Sequence, residues 1–120
     1  MKVYNFADHN SIVNQYMAEL RDVDIQRDML RFRRNLERIG EIMAYEISRE
    51  VSYREAPVRT PLGTARCRLL DDRLVLATIF RAGLPFHQGF LNIFDHAQNA
   101  FVSAYRKYTD DDNFDVFIEY

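Results

Sequence analysis

The sequence has little of what several common kinds of site require. Its one cysteine, Cys67, can form neither an internal disulfide nor a cysteine-rich metal site. We expect Cys67 to be a small buried side chain in a protein from a reducing compartment. The N-terminal residues 1–8 lack the apolar stretch of a signal peptide, and no apolar run approaches the ~18 residues of a membrane span. A cytoplasmic protein is therefore expected.

Neither sign of charge dominates the composition. The 120 residues include 16 basic and 18 acidic side chains, which gives a formal net charge of −2. Attraction of the whole molecule to nucleic acid is therefore not expected, and only a local basic patch would provide it. With 48% hydrophobic and 28% charged residues, the composition is typical of one globular domain.

Several motifs of nucleotide-binding and hydrolytic enzymes are absent from the sequence. It contains neither a Walker A motif nor Gly-x-Gly-x-x-Gly, and no Ser/His/Asp arrangement is apparent. His9, His87 and His96 lack the spacing of metal ligands. We expect a structural or solvent-facing role for His87 rather than a ligand contact, and an interaction with a helix dipole for His96.

Two amphipathic helices are predicted in the N-terminal half. Ser11 is a good N-cap, and apolar side chains recur on one helical face over residues 12–21. Asp24 is the candidate N-cap of the second helix. A longer apolar stripe begins after it and continues to Val51, which predicts a long helix whose apolar face forms core or a subunit contact. Gly40 lies within this stripe, which favours close packing at that point.

A hairpin is predicted after the helices, with strands at residues 56–60 and 64–70. Pro61 and Gly63 stand at the second and fourth positions of the connecting turn, which suits a type I turn. The alternation of the strands places one set of side chains on a buried face and leaves Arg66 outside. The buried set is Val58, Cys67 and Leu69, and Arg68 joins Arg66 outside.

A strand–helix–strand unit is predicted next. Residues 74–80 form a nearly continuous apolar run, which is typical of a strand covered on both faces in a parallel sheet. Residues 86–97 predict a helix, and residues 100–105 predict a second strand reached by a right-handed crossover. The acidic run at residues 109–113 predicts a solvated turn rather than a metal site, and residues 114–120 begin a further strand.

An arginine follows each of the two predicted parallel strands. Arg81 comes after Phe80, and Arg106 comes after Tyr105. Because the carboxyl ends of parallel strands meet at one edge of a sheet, both arginines should lie on the same rim. Guanidinium groups suit phosphate, and Gly83 would let backbone N–H groups at a helix start approach an anion. The sequence therefore predicts a phosphate site here, and arginines that merely cover the sheet ends are the alternative.

An ordered set of motifs resembles the uracil phosphoribosyltransferases, which are type I phosphoribosyltransferases. The set is Leu20-Arg21-Asp22, the helix end at residues 43–50, the turn at residues 60–63, Arg81-Ala82-Gly83-Leu84 and Tyr105-Arg106. The resemblance implies an α/β fold, in which N-terminal helices and a β-hairpin precede the first βαβ unit of a Rossmann-like parallel sheet. It divides one partial domain into a helical extension (1–53), a hairpin (54–70) and the start of the sheet core (71–120).

The resemblance also implies a reaction and the residues that serve it. Uracil and phosphoribosyl pyrophosphate (PRPP) would give UMP and pyrophosphate in pyrimidine salvage, with Mg²⁺ accompanying the PRPP. Arg81, Ala82 and Gly83 would bind PRPP in the family's pyrophosphate loop, where an unusual non-proline peptide is implied, and Arg106 would be the second PRPP-binding arginine. No catalytic side chain and no metal ligand is assigned. The family's self-association implies a homo-oligomer, without nucleic acid or membrane as a partner.

The sequence departs from the family pattern in two places. Residues 85–88 stand where the family usually has a glycine and an acidic residue. The acidic ribose loop of the family, with its Asp-Pro start and Thr-Gly-Gly turn, does not occur, and neither does the segment that reads uracil. We therefore expect a truncated chain that is inactive alone.

Two other functions stay open. A non-catalytic relative that binds RNA would show a steep salt dependence of binding, although the balanced charge argues against it. An assembly module, in which the long helix and the hairpin make a dimer contact, would self-associate and can coexist with the enzyme.

Overall fold

A computed structural model describes residues 2–108 and 114–119, and the side chains of residues 106–108 and 114–115 fall outside that description. The predicted α/β fold is confirmed. The elements in chain order are α1 (Ile12–Arg21), α2 (Met29–Ser48), β1 (Tyr53–Thr60), β2 (Gly63–Leu70), β3 (Val75–Phe80), α3 (Leu84–Ile93), β4 (Gln98–Tyr108) and β5 (Phe114–Glu119). Of the two short 3₁₀ turns, Phe6–Asp8 precedes α1 and Ile25–Arg27 precedes α2.

Polar side chains determine where the first two helices begin. Ser11 caps α1 as predicted, with its hydroxyl oxygen accepting the Val13 N–H at 3.3 Å. The predicted cap of the second helix, Asp24, is wrong, because its side chain makes no capping bond. Asp28 caps α2 instead and accepts the Arg31 N–H at 3.0 Å. The long helix predicted from the apolar stripe is therefore preceded by a separate 3₁₀ turn.

A polar cluster around the buried Asn35 joins α1 to α2. Asn35 is fully buried and donates from Nδ2 to Glu19 Oε2 at 2.7 Å. Gln15 donates to the other carboxylate oxygen of Glu19 at 2.9 Å, and Arg31 approaches the carboxylate at 3.3 Å. The bonds from Gln15 and Asn35, followed by that from Arg31, lower the pKa of Glu19 to about 2. Glu19 is therefore a charged acceptor around which the two helices are fixed.

Helices α2 and α3 cross at two glycines. A Cβ atom added to Gly40 would lie 2.5 Å from the carbonyl oxygen of Phe86, and one added to Gly89 would overlap the carbonyl oxygen of Glu37. The close packing predicted at Gly40 is therefore confirmed. Asn92 of α3 also donates to the Glu37 carboxylate across the same contact, at 2.9 Å. This crossing attaches α3 to the helical half of the chain.

The hairpin projects from the rest of the molecule. Its strands pair antiparallel from Tyr53 with Leu70 to Thr60 with Gly63, and they pack chiefly against each other. The radius of gyration is 19.1 Å, whereas a compact chain of this length would have about 14 Å. At the turn, Gly63 has a φ of 135°, which glycine adopts without steric cost.

The predicted buried face of the hairpin is only partly confirmed. Val58 and Cys67 are half-buried, and Arg66 and Arg68 are exposed as predicted. Leu69 is 42% exposed, so its predicted burial is wrong. The alternation of the strand gave the correct face, but a projecting two-stranded ribbon has little to cover it.

The sheet has the order β3-β4-β5 and is mixed. β3 and β4 are parallel, from Val75 opposite Gln98 to Phe80 opposite Ser103, which confirms the strand–helix–strand unit. β5 runs antiparallel to β4, with Ser103 opposite Glu119. The acidic turn predicted between these two strands lies outside the described residues.

One face of the sheet is open. α3 begins at Leu84, two residues earlier than predicted, ends at Ile93, and packs on β3. On the other face, Val75 and Ile79 are 58% and 60% exposed. The prediction that this strand is covered on both faces is therefore wrong for this chain, because α3 is the one helix packed on the sheet within residues 2–108 and 114–119. No helix in those residues is long and apolar enough to cross a membrane.

The ionised Glu19 should make stability depend on pH. Its folded pKa of about 2 lies below the ordinary 4.5, so its contribution is complete above about 4.5 and is lost as the pH falls towards 2. We expect Glu19→Gln to lower the urea midpoint at pH 7 and to flatten its fall between pH 5 and pH 2.5, measured by circular dichroism. Glu55→Gln, which alters an exposed ion pair with Arg66, serves as the control. Equal pH profiles for both variants would contradict the assignment.

Candidate functional site

A short turn joins β3 to α3 at the carboxyl end of the strand. Arg81 and Ala82 in this turn are exposed, and the peptide between Phe80 and Arg81 is cis. The resemblance implied an unusual non-proline peptide in the loop of residues 81–83, and the cis peptide stands one bond earlier, between Phe80 and Arg81. The turn closes through hydrogen bonds from the Leu84 N–H to the Arg81 carbonyl at 3.2 Å and from the His87 N–H to the Gly83 carbonyl at 2.9 Å.

Gly83 is required by close packing of the turn on its own strand. Its φ is −72°, which any residue can adopt, so backbone freedom is not the reason for glycine here. A Cβ atom at this position would collide with the Thr78 hydroxyl and lie 2.9 Å from the carbonyl oxygen of Ile79. The predicted role of Gly83, close approach of the backbone to an anion, stays a prediction.

The start of α3 lies beside Arg81 and has no side-chain cap. Gly83 occupies the cap position, and Pro85 in the first turn has no N–H to donate. The partial positive charge of the helix start is therefore not offset by a capping oxygen from the chain. An exposed guanidinium and an uncapped helix start thus lie within one turn, and both favour a negatively charged ligand.

Aromatic rings pack against one another next to the turn. The ring of Phe80 stacks on Phe101 with centroids 4.8 Å apart, and the imidazole of His87 lies 5.3 Å from the same Phe101 ring. His87 is 7% exposed, and its Nε2–H donates to Asn99 Oδ1 at 2.7 Å. The expected structural role of His87 is therefore confirmed. His96 lies beyond the end of α3, fully exposed and 3.7 Å from Asp95.

Arg106 lies within a strand and not at its end. β4 continues to Tyr108 because β5 pairs with it, and Arg106 stands opposite Val116. The backbone of Arg106 is three residues past Ser103, the partner of Phe80, or roughly 10 Å along β4 at 3.3 Å per residue. It is therefore at the same end of the sheet as Arg81. Its side chain lies outside the described residues, so the predicted pairing of two guanidinium groups stays a prediction.

Among the described residues, none around the turn form a metal site. In the part of the chain that the structure describes, no three His, Cys, Asp or Glu side chains are grouped so as to hold an ion. The turn itself offers a guanidinium and backbone N–H groups, which are not ligands for Mg²⁺. Mg²⁺ therefore stays an expectation of the resemblance, in which it accompanies the PRPP.

Two contacts of this arrangement have no signal in the sequence pattern. Thr78 of β3 fills the space that a Cβ atom at Gly83 would need, and Asn99 of β4 bonds His87 of α3, so the residues of each pair come from separate parts of the chain. Asn99 also fell outside the predicted strand, which began at residue 100, whereas β4 begins at Gln98. Contacts of this kind follow from register, which a single strand pattern does not determine.

Comparison with known proteins identifies the family. The sequence profile of the family described as uracil phosphoribosyltransferase matches residues 7–117. A protein of that name from Porphyromonas gingivalis is 58% identical over 120 residues, which is all of this chain and 56% of that protein. Relatives of the same name from Methanothermobacter thermautotrophicus and Pyrococcus furiosus are 40% and 37% identical over 92% and 87% of this chain, and 51% and 44% of their own length.

A solved structure agrees with the fold. The AQ2163 protein from Aquifex aeolicus matches with a TM-score of 0.68 at 23% identity, over 93% of this chain and 52% of that chain. The chain spans about half the length of the curated relatives it matches. Because the family profile covers nearly all of it, the chain belongs to the uracil phosphoribosyltransferase family.

Proposed function

We propose that this chain forms part of an enzyme that transfers the 5-phosphoribosyl group from PRPP to uracil, giving UMP and pyrophosphate. The observation that carries the proposal is the turn at Arg81, Ala82 and Gly83, with its exposed guanidinium beside an uncapped helix start. Membership of the family supports the choice of PRPP and uracil as substrates. We assign the turn to the pyrophosphate of PRPP.

The chemistry needs stabilisation of a leaving anion more than it needs a strong nucleophile. The bond from the ribose C1 carbon to the pyrophosphate oxygen breaks as the uracil nitrogen approaches, so negative charge gathers on the pyrophosphate. A guanidinium fork held beside that group stabilises the charge with paired hydrogen bonds. Arg81 supplies this fork, and the start of α3 adds its partial positive charge. Arg106, at the same end of the sheet, is proposed as the second arginine on PRPP.

The isolated chain should bind without catalysing the reaction. The Thr-Gly-Gly turn of the family's ribose loop is absent from its 120 residues, and so is the segment that reads uracil. Bound pyrophosphate alone does not bring uracil to the C1 carbon, and placement of the two reactants is a large part of such catalysis. UMP formed by the purified chain from PRPP and uracil would contradict this view.

Replacement of Arg81 tests the site. In Arg81→Ala we expect pyrophosphate to bind about tenfold more weakly or worse, since a hydrogen bond to a charged group contributes about 1.5–3 kcal/mol. In an enzyme that carries the complete site, the same change should cost about 2–4 kcal/mol of transition-state stabilisation. Titration of the chain by isothermal calorimetry measures the first effect.

Arg73→Ala is the matched control for this titration. Arg73 is an exposed arginine near the opposite end of β3. Its loss changes the net charge by as much as the loss of Arg81 does, but it leaves the turn intact. Its pyrophosphate affinity should stay within about twofold of the original, because exposed charges this far apart are largely screened by salt. Equal losses in both variants would mean that general charge, and not the turn, binds the anion.

A second function, assembly of the enzyme, is favoured by the projecting hairpin. Leu62 at its tip is fully exposed, and no other element in residues 2–108 and 114–119 packs extensively on the ribbon. Because a ribbon of two strands is marginal by itself, a second copy of the chain is a suitable partner for it. We therefore propose that the family member self-associates through this hairpin.

Static light scattering tests the assembly proposal. We expect a mass above that of one chain, and a shift towards one chain in Leu62→Asp, because a carboxylate at a contact must lose its hydration. Val3→Asp is the control, since Val3 is 72% exposed on the N-terminal arm, whose Lys2 and Tyr4 bond Glu50 near the base of the hairpin and not at its tip. A single-chain mass at high concentration would refute the proposal, as would an equal shift in both variants.

A further inference from the structure

His87 occupies a buried position directly behind the Arg81 turn. It lies on the first turn of α3, and its backbone N–H donates to the Gly83 carbonyl at 2.9 Å. Its imidazole is 7% exposed and faces Phe101 of β4, with ring centroids 5.3 Å apart. His87 therefore contacts the turn through its backbone and β4 through its side chain.

A continuous set of contacts leads from the imidazole to Arg81. The ring of Phe101 contacts His87 and also stacks on Phe80, at 4.8 Å between centroids and an interplanar angle of 25°. Phe80 is joined to Arg81 by the peptide bond. Phe101 also stands opposite Thr78 in the sheet, and Thr78 is the residue on which Gly83 packs. Both ends of the turn therefore adjoin residues that neighbour Phe101, Phe80 through its ring and Thr78 through the sheet register.

The hydrogen bond of His87 fixes the orientation of its ring. An amide carbonyl oxygen only accepts, so the bond of 2.7 Å to Asn99 Oδ1 requires the proton on Nε2. A phenylalanine would fill the same space and keep the contact with Phe101, but it would lack this bond. A glutamine would keep an N–H donor and lose the ring. The two properties of His87 can thus be removed separately.

We propose that His87 is a positioning residue for the Arg81 turn, acting through the rings of Phe101 and Phe80, so that the guanidinium is held ready for a diphosphate ligand. The identity of that ligand rests on the function proposed above, whereas the positioning itself does not. His87 does not touch the ligand, and its role is to narrow the set of conformations available to the turn.

Nuclear magnetic resonance of the ¹⁵N-labelled 120-residue chain gives two separate measurements. The first is the amide shift of Ala82 and Gly83 without ligand, which reports the conformation of the turn. The second is the dissociation constant for inorganic pyrophosphate. We compare the original chain with His87→Gln, His87→Phe and Asn99→Ala, and with Phe94→Leu as control. Phe94 is a 7% exposed core residue just past the other end of α3, so its change weakens packing without touching the turn.

His87→Gln should shift both amides and weaken pyrophosphate binding about fivefold, in keeping with the loss of one aromatic contact. His87→Phe should bind pyrophosphate with an affinity within about twofold of that of the original chain, because the ring contact is kept. Asn99→Ala should shift the same amides less than His87→Gln does. The imidazole ring is still present in this variant, but the hydrogen bond that fixes its orientation is lost. Phe94→Leu should lower the unfolding midpoint and leave the amides and the affinity unchanged.

Two results would overturn the proposal. One is an amide spectrum of the turn that stays unchanged in folded His87→Gln. The other is a set of affinities that follows the unfolding midpoints of all four variants, since His87 would then be an ordinary core residue. If the original chain binds no pyrophosphate, the proposed function fails, and the amide shifts alone still decide whether His87 positions the turn. If His87→Gln does not fold, Asn99→Ala decides on the same amides.

Discussion

The contact of α2 with α3 at Gly40 and Gly89 is the constraint on which the position of the candidate site depends. Neither glycine has room for a Cβ atom, so the two helix backbones meet directly. α3 is thereby fixed against α2, and Asp28 and the Glu19–Asn35 cluster hold the N-terminal part of α2 in place. Because α3 is held in this way, its first turn has a defined position beside the sheet.

The site itself combines two weak preferences for an anion with the close packing of the turn that joins them. A strand end carries an exposed Arg81, a helix start has no capping side chain, and the turn between them packs on Thr78 through Gly83. None of these alone selects a ligand, because exposed arginines and free helix starts are common. Their convergence suits a diphosphate group, and the family match supports PRPP as the molecule that carries it.

Local patterns in the sequence predicted the elements well, and what they missed depends on distant neighbours. The stripe of α2, the glycine at its crossing and the parallel pair of strands all follow from periods of 3.6 and 2 residues. The burial of Leu69 and the double covering of β3 were wrong because both assumed neighbours that this chain does not provide. The antiparallel β5 arises from pairing between strands, and the His87–Asn99 bond arises from a contact between α3 and β4; no single segment encodes either.

Whether the Arg81 turn holds the pyrophosphate of PRPP is tested most directly by parallel titrations of the ¹⁵N-labelled chain. PRPP and inorganic pyrophosphate should shift the same amides, those of residues 81–84, with dissociation constants within about threefold of each other, because charge-assisted contacts to the shared diphosphate supply most of the affinity. Ribose 5-phosphate, which lacks the diphosphate, should leave these amides in place. Shifts from ribose 5-phosphate at the same amides, or PRPP shifts confined to other residues, would contradict the assignment.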